Sequence, residues 1–236
     1  MTDLPEPRAA STVVLLRDSA KGLETLLLKR NKALMFAGGF WVFPGGALEE
    51  ADLATADGDV VLASRIAAAR EAEEESGLHP HLEDMVLVSH WTTPVVEPKR
   101  FSTWIYAAPV AVEKDVVIDG GEIHDHLWIG LTAALDMHRR GELAVLPPTY
   151  ITLCTLASYA SVAELVAEER ASSVPEVLPV FDNDGGKLTV MFRGDAGYDS
   201  AEASAPGARH RAVLEGNAWV YSYQGVEPVF PTLIRE

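Results

Sequence analysis

The chain has 236 residues, with 19 Lys and Arg against 35 Asp and Glu, a formal net charge of −16, 48% hydrophobic residues and one cysteine. That length and apolar content suit one large domain, or a domain with a substantial extension, and exclude wholesale disorder; no apolar run approaches the roughly 18–20 residues of a membrane span. So acidic a chain is not expected to hold a long nucleic acid by broad phosphate neutralisation, although intervening metal ions would let it hold a polyanion locally.

The opening MTDLPEPRAA has neither a basic start nor an apolar segment, so no secretory signal is expected, and the first ten residues read as a short disordered lead. Residues 12–17 and 23–30, rich in aliphatic and β-branched side chains, flank the turn-like SAKG and predict a hairpin. A Gly-bearing loop from Asn31 to Phe40 leads to a short strand, Trp41–Phe43, ending in Pro44-Gly45-Gly46. Residues 47–59 are acidic and read as irregular; from Val60 an Ala-rich stretch has high helix propensity, with Asp57 or Asp59 as N-cap and Gly77 as C-cap. Strands are expected near 85–92, 101–110 and 122–129, then helices at 131–140 and about 149–169. The last third predicts strands near 178–182 and 187–193 around an Asn183-Asp184-Gly185-Gly186 turn, a mobile loop over 194–209, and closing strands at 211–214 and 218–223. No internal repeat is present, and the layout is mixed α/β.

The informative segment is Arg70-Glu71-Ala72-Glu73-Glu74-Glu75-Ser76-Gly77-Leu78. At about 100° per residue, Glu71, Glu74 and Glu75 fall within an arc of about 100°, Glu73 points away, and Ser64, Ala67 and Ala68 leave room for close approach. Like charges at these spacings repel, and they stand at the helix end where the dipole disfavours them. A divalent cation would compensate both effects, and carboxylate oxygens suit Mg²⁺ or Mn²⁺. A solvated acidic helix end is the plain alternative for such a cluster taken alone.

Together with Phe43-Pro44-Gly45-Gly46 and the acids Glu49, Glu50 and Asp52, this helix resembles the Nudix box of the Nudix hydrolase superfamily, G-x5-E-x7-R-E-U-x-E-E-x-G-U. Arg70, Glu71, Glu74, Glu75, Gly77 and Leu78 match its second half, and Gly46 matches its opening glycine. Gly46 to Arg70 spans 24 positions, ten more than the pattern, so Glu49, Glu50 and Asp52 all remain candidates for its first acid. The resemblance implies an α/β/α sandwich, a Nudix domain over residues 8–145 and a helix-and-strand extension over 146–236 packed on it. It also implies divalent ions held by Glu71, Glu74 and Glu75 with the Gly46 carbonyl, and Arg70 pairing with the upstream acid to brace the loop. A homodimer is one assembly that superfamily members form.

Residues 26–46, the insertion within the box, the segment from Thr92 to Phe101 and the extension resemble the coenzyme A and acyl-CoA diphosphatase-like branch. Lys29, Arg30, Lys32, Lys99 and Arg100 are five of the 19 cations; they either hold phosphates distal to the metals or are strand-end charges. Trp41, Trp91, Trp104 and Phe101 could stack a base, although strand aromatics belong more often to the core. Glu122, on the loop before a Trp128-containing strand, matches the position from which many relatives supply a metal contact or general base; Glu97 and Glu113 are rivals, and a surface acid is the plain reading. His124 and His126 are expected at the surface and Cys154 in an apolar helix. No G-x-S-x-G, Walker, G-x-G-x-x-G or H-E-x-x-H motif competes.

The expectation is therefore a cytoplasmic, Mg²⁺- or Mn²⁺-dependent hydrolase that cleaves the pyrophosphate of a nucleoside diphosphate linked to another moiety. Coenzyme A or acyl-CoA is the favoured small-molecule substrate, and Glu71 or Glu122 the base. ADP-ribose, nucleotide-sugar, NADH or dinucleoside polyphosphate hydrolysis is the enzymatic alternative, and a non-catalytic metabolite sensor the other class. Residues 49–84 carry 11 acids and two bases, a net of −9 out of −16, so the acidity is largely local.

Overall fold

In a computed structural model of the chain, the described residues are 6–32, 37–97, 99–111, 115–118, 120–182 and 187–234. Strands β1 (Arg8–Ser19) and β2 (Gly22–Arg30) form the expected hairpin, with Ser19 opposite Gly22. β1 starts earlier than the sequence suggests: residues expected in a disordered lead run parallel to β6 (Phe101–Pro109), Arg8 facing Phe101, and are held by that ladder. β1 and β2 pair only from Leu16 and Thr25 to the turn, then diverge. β3 (Trp41–Val42) on β2 and β4 (Gly45–Ala47) on β1 fill the opening. With β5 (Val86–Thr92), β7 (Ile123–Gly130) and β8 (Glu176–Val177) they make an eight-stranded mixed sheet, ordered β3-β2-β1-β6-β5-β8 with β4 on β1 and β7 on β2.

Alternation along β1 assigns the two faces of this sheet. Val13 and Leu15, with Leu26, Leu28 and Tyr106, pack on Ala68, Ala69 and Ala72 of α2 (Val60–Ser76). Alanines on that face let the helix lie close to the sheet. Asp59 Oδ1 caps α2 by accepting from the Val61 and Leu62 amides at 2.9 and 3.0 Å, and Gly77 ends it at φ 71°, both as the sequence predicts. Val14, Leu16, Leu27 and Ile105 point the other way, into a core shared with α3 (Leu131–Arg139), α4 (Pro147–Leu156) and α5 (Val162–Ala171). That core also takes Val190, Phe192, Ala212 and Trp219 from a second, antiparallel sheet. Its strands are β9 (Val180–Asp182), β10 (Thr189–Met191), β11 (Arg209–Glu215) and β12 (Ala218–Gln224), ordered β12-β11-β10-β9. The mixed sheet with helices on it is the α/β architecture expected.

Four local expectations are corrected. Residues 50–55 are a helix, α1 (Glu50–Thr55), rather than irregular, because Asp52 turns back to accept the Glu49 amide at 2.9 Å, half of a capping box. The single helix expected over 149–169 is two, because Ser161 Oγ accepts the Glu164 amide at 3.2 Å and starts a new one, while buried Tyr159 donates to Glu169 at 2.6 Å. The strand expected near 178–182 begins only at Val180, as β9; β8, just before it, belongs to the other sheet, and Pro179 between them lacks the N–H to extend a ladder. Residues 194–209, expected as a mobile loop, form turns fastened by Asp195, which accepts from the Gly197 and His210 amides and from Arg211 at 2.6–2.9 Å. The Asn183–Gly186 turn lies outside the described residues. No helix among the described residues is long and apolar enough to cross a membrane.

Candidate active site

The site is built where β4 meets the C-terminal half of α2. The Pro44 carbonyl accepts the Val13 amide at 2.9 Å and the Thr12 hydroxyl, which fixes the turn to β1. Two glycines then allow a close approach. A Cβ on Gly45 would lie 2.4 Å from the Ser11 carbonyl oxygen, and one on Gly46 would lie 2.3 Å from Glu71 Oε1. The Glu71 carboxylate thus packs directly on the Gly46 backbone, and the Gly45 amide donates to Glu75 Oε2 at 3.0 Å. Ser11 Oγ donates to the Ser64 carbonyl at 2.6 Å, securing the helix one small residue from the strand.

The carboxylates of α2 differ in environment. Glu75 is 6% exposed, and burial pushes its carboxyl up to about 8; the Gly45 amide and Arg30 pull it down, while Glu71 and Glu122 push it further up. Glu71 is half-buried and also raised, first by burial and then by Glu74 and Glu122, with Arg70 opposing. Glu74 is exposed.

Arg70 gathers the acids around it. It donates through Nε and Nη2 to Asp52 at 3.3 and 3.1 Å, through Nη1 to Glu71 and Glu74 at 2.9 and 3.2 Å, and through Nη2 to the Ala47 carbonyl at 3.3 Å. Burial alone would lower its pKa; the bonds and charges of Asp52 and Glu71 more than reverse that and hold it above its ordinary value. Of the three upstream acids, Asp52 is the partner; Glu49 and Glu50 are exposed. A usable signal existed in the sequence: Asp52 stands six positions after Gly46, the interval of the box, so the ten extra residues fall after it. They are absorbed by the end of α1, its turn and the early part of α2.

Arg30 enters from the end of β2. Its Nη2 donates to Glu122 Oε2 at 3.0 Å, its Nη1 lies 3.8 Å from Glu75 Oε1, and its buried Nε has no hydrogen-bond partner. The structure thus brings Arg30, Arg70, Gly46, Glu71, Glu74, Glu75 and Glu122 together. Lys29 is separated from Arg30 by strand alternation: its ammonium lies 5.2 Å from the ring centroid of Trp41, whose side chain belongs to the opposite core. Lys99 is exposed and Arg100 donates to the Thr93 carbonyl at 3.3 Å, on β6's flank of β1 rather than β4's. β1 thus stands between the two basic segments. Lys32 lies along Gly39 in the loop after β2.

Among the rivals, Glu97 follows a turn at Pro94, and Glu113 lies outside the described residues. Trp41 and Trp91 are core residues; Trp104 is half-buried and stacks on His90 with centroids 4.5 Å apart. His124 and His126 are exposed, and burial pushes the Cys154 thiol up to about 11.

A divalent cation suits this donor set: oxygen ligands only, on a helix face, against a glycine whose absent Cβ is what lets Glu71 reach the backbone. Among the described residues no three acidic, His or Cys side chains already converge as a cation cage; guanidinium groups of Arg70 and Arg30 partner the carboxylates instead. The charge to be neutralised and the oxygens to coordinate are both present, so the residues fit the group.

The NUDIX domain profile matches residues 6–147, more than half of the chain. The chain belongs to the NUDIX family. With that membership comes the reaction class, hydrolysis of a phosphoric anhydride bond, which members generally carry out with divalent cations. Among solved structures, a NUDIX hydrolase from Alicyclobacillus acidocaldarius resembles this chain with a TM-score of 0.63 at 23% identity, over 70% of this chain and 97% of its own, a likeness of fold. The NUDIX domain of Shewanella oneidensis NrtR, crystallised with ADP ribose, aligns at a TM-score of 0.49 and 17% identity, over 71% and 90% of the two chains. Comparison of the sequence with curated proteins returned no match.

Proposed function

We propose that this NUDIX domain hydrolyses the pyrophosphate of a nucleoside diphosphate linked to another moiety, with coenzyme A or an acyl-CoA as the favoured substrate. The observation that carries the reading is the Glu71 carboxylate packed on Gly46 with Glu75 bonded to the adjacent amide, two oxygen donors of one helix held against one backbone turn. Glu71, Glu74 and Glu75, with the Gly46 carbonyl, would hold Mg²⁺ or Mn²⁺. When bound, such a cation polarises phosphate oxygens and makes water more acidic.

The chain's own residues do the rest. Arg70 keeps Glu71 and Glu74 oriented while anchored to Asp52. Arg30 presents an unpartnered Nε and a loosely engaged Nη1 beside Glu75, donors that suit a phosphate oxygen and the charge that grows on the leaving group. Glu71, whose carboxyl is raised by burial, is the preferred proton acceptor, and Glu122, exposed at the rim and tied to Arg30, is the alternative. Lys29, Lys99 and Arg100 would contact the substrate only away from the reacting pyrophosphate. The coenzyme A preference rests on the sequence resemblance of residues 26–46 and of the box insertion. A reducing, cytoplasmic setting rests on the lone Cys154, and a homodimer on the superfamily resemblance.

The test is a panel of coenzyme A, acyl-CoA, ADP-ribose, NADH and diadenosine polyphosphates, assayed with Mg²⁺ or Mn²⁺. Turnover of at least one is expected, with coenzyme A species foremost, and Glu75→Gln should abolish it. Unchanged turnover in Glu75→Gln removes the metal assignment. Coenzyme A species trailing ADP-ribose by orders of magnitude removes the substrate assignment. Tight binding of one panel member without turnover supports a sensor instead.

A further inference from the structure

The second sheet touches the candidate active site at one remove, through the loop between α3 and α4. His138, 1% exposed, stands at the end of α3. Its Nδ1 lies 2.8 Å from the Leu143 carbonyl oxygen, and its Nε2 lies 2.8 Å from the backbone nitrogen of Trp219 in β12. A carbonyl can only accept and an amide can only donate, so the ring is neutral with its proton on Nδ1. The Trp219 indole N–H donates to the Val145 carbonyl at 3.0 Å, and Asn217 in the β11–β12 turn packs on Gly141, whose Cβ would lie 3.4 Å from that of Asn217. On its other side the same loop offers the Ala144 carbonyl to the Trp41 amide at 2.9 Å. Three consecutive carbonyls, of Leu143, Ala144 and Val145, therefore accept in turn from His138, from β3 and from β12. Four residues after Trp41 comes Gly45, whose amide holds Glu75.

We propose that His138 is a positioning residue for the NUDIX reaction, transmitting the docking of the β11–β12 hairpin through residues 143–145 to Trp41 and so to the Gly45-Gly46 turn against which the helix carboxylates lie. The C-terminal sheet is then a working part of the active site although it contributes no group to it. The loop carries no regular structure of its own, so its carbonyls hold their aim only while both sides are bonded, and an imidazole that donates on one edge and accepts on the other is what joins them. Displacements of about 1 Å at a catalytic constellation are enough to cost on the order of 100-fold in rate. The proposal rests on the reading of Gly46, Glu71 and Glu75 as the reacting centre.

The test compares the full-length wild type with His138→Leu, His138→Gln and Trp219→Phe. It measures kcat and KM on the best panel substrate with Mg²⁺, and amide hydrogen exchange over residues 41–46 and 217–220. Leucine removes both bonds; glutamine can donate and accept; phenylalanine at 219 deletes the bond to Val145 and some core packing but keeps the amide that bonds His138. The expected result is a fall in kcat of roughly tenfold or more in His138→Leu with KM nearly unchanged, together with faster exchange over 41–46. Trp219→Phe should show a smaller change in the same direction, and His138→Gln should recover both readouts. Faster exchange confined to 217–220 with normal kcat overturns the proposal, as does failure of glutamine to recover either readout. A wild type that turns over nothing on the panel defeats the hydrolase reading alone, because exchange over 41–46 still decides whether the brace exists.

Discussion

Asp52 and Arg70, 18 residues apart, are joined by two hydrogen bonds, Nε to Oδ1 at 3.3 Å and Nη2 to Oδ2 at 3.1 Å. The same Oδ2 accepts the Glu49 amide at 2.9 Å, so one buried carboxylate both starts α1 and holds the arginine that orients Glu71 and Glu74. Replacing Asp52 by Ala takes the acceptor from the Glu49 amide and from two N–H groups on one edge of the Arg70 guanidinium, of which Nη2 keeps the Ala47 carbonyl. We expect a loss of about 1–3 kcal/mol in urea denaturation, kept to that range because Arg70 remains partly in water. We also expect weaker Mg²⁺ dependence of activity. Full activity in a folded Asp52→Ala protein would count against the bracing role of Arg70.

Gly46→Ala separates catalysis from stability. The atoms nearest the new Cβ are the far end of the Glu71 side chain, Oε1 at 2.3 Å, and that chain can swing aside at little cost. Stability should change by less than about 1 kcal/mol. The displaced carboxylate should lower kcat by roughly 10–100-fold. A thermal melt within a few degrees of wild type, combined with that kinetic loss, is the expected pair of results.

The two buried histidines should weaken the fold from near neutrality downwards, whereas Glu75, pushed up to about 8, works in the opposite sense over the same range. His138 and His210 are buried, and burial holds both below the ordinary histidine value of 6.5. The unfolded chain takes up their protons below about 6.5 while the folded chain resists, so stability present above that pH is lost as pH falls. The slope is up to ~1.4 kcal/mol per pH unit for each histidine. Urea midpoints at pH 7.5 and 5.5, compared between wild type and His138→Gln, isolate the share of His138: the variant should lose less stability, or gain more, on going to pH 5.5. A His138→Gln protein that keeps the wild-type difference between the two midpoints would contradict the neutral His138.

Arg211 neutralises Asp195 in the interior, with Nη2–Oδ1 at 2.6 Å and side chains 9% and 0% exposed. Burial by itself would raise Asp195; Arg211 and the amides of Gly197 and His210 outweigh it and hold the carboxyl below its usual value. Arg211→Met strands that charge and should cost about 3–5 kcal/mol, towards the lower end because the two amides remain. Asp195→Asn keeps an acceptor for only one of those amides, turns an N–H towards the other and leaves the Arg211 charge unpaired, so it should cost a similar amount. Circular dichroism through a urea titration compares the two.

The helix that carries Glu71, Glu74 and Glu75, its caps at Asp59 and Gly77, the hairpin before it and the Pro44-Gly45-Gly46 turn were all readable in the residues, because each follows from contacts within a few positions of chain. Periodicity places three carboxylates on one face wherever the helix is. The helix break at Ser161 and the change of sheet at Pro179 were also local in origin, but a continuous stretch of favourable propensity masked them.

What the residues could not announce was which partners would meet across space. Lys29 and Arg30 are neighbours in sequence, yet pleating sends one over Trp41 and the other to Glu75 and Glu122. Lys99 and Arg100 form a second basic segment, which stands across β1 from β4. The Gly45 amide as the donor to Glu75 needed the wedge of β3 and β4 between diverging strands. So did His138 as the link from β12 towards that wedge. Local composition decides which chemistry is available, since helix pitch and turn geometry are short-range. Burial, and with it the raised carboxyl of Glu75, is decided only when distant segments close over it and exclude water.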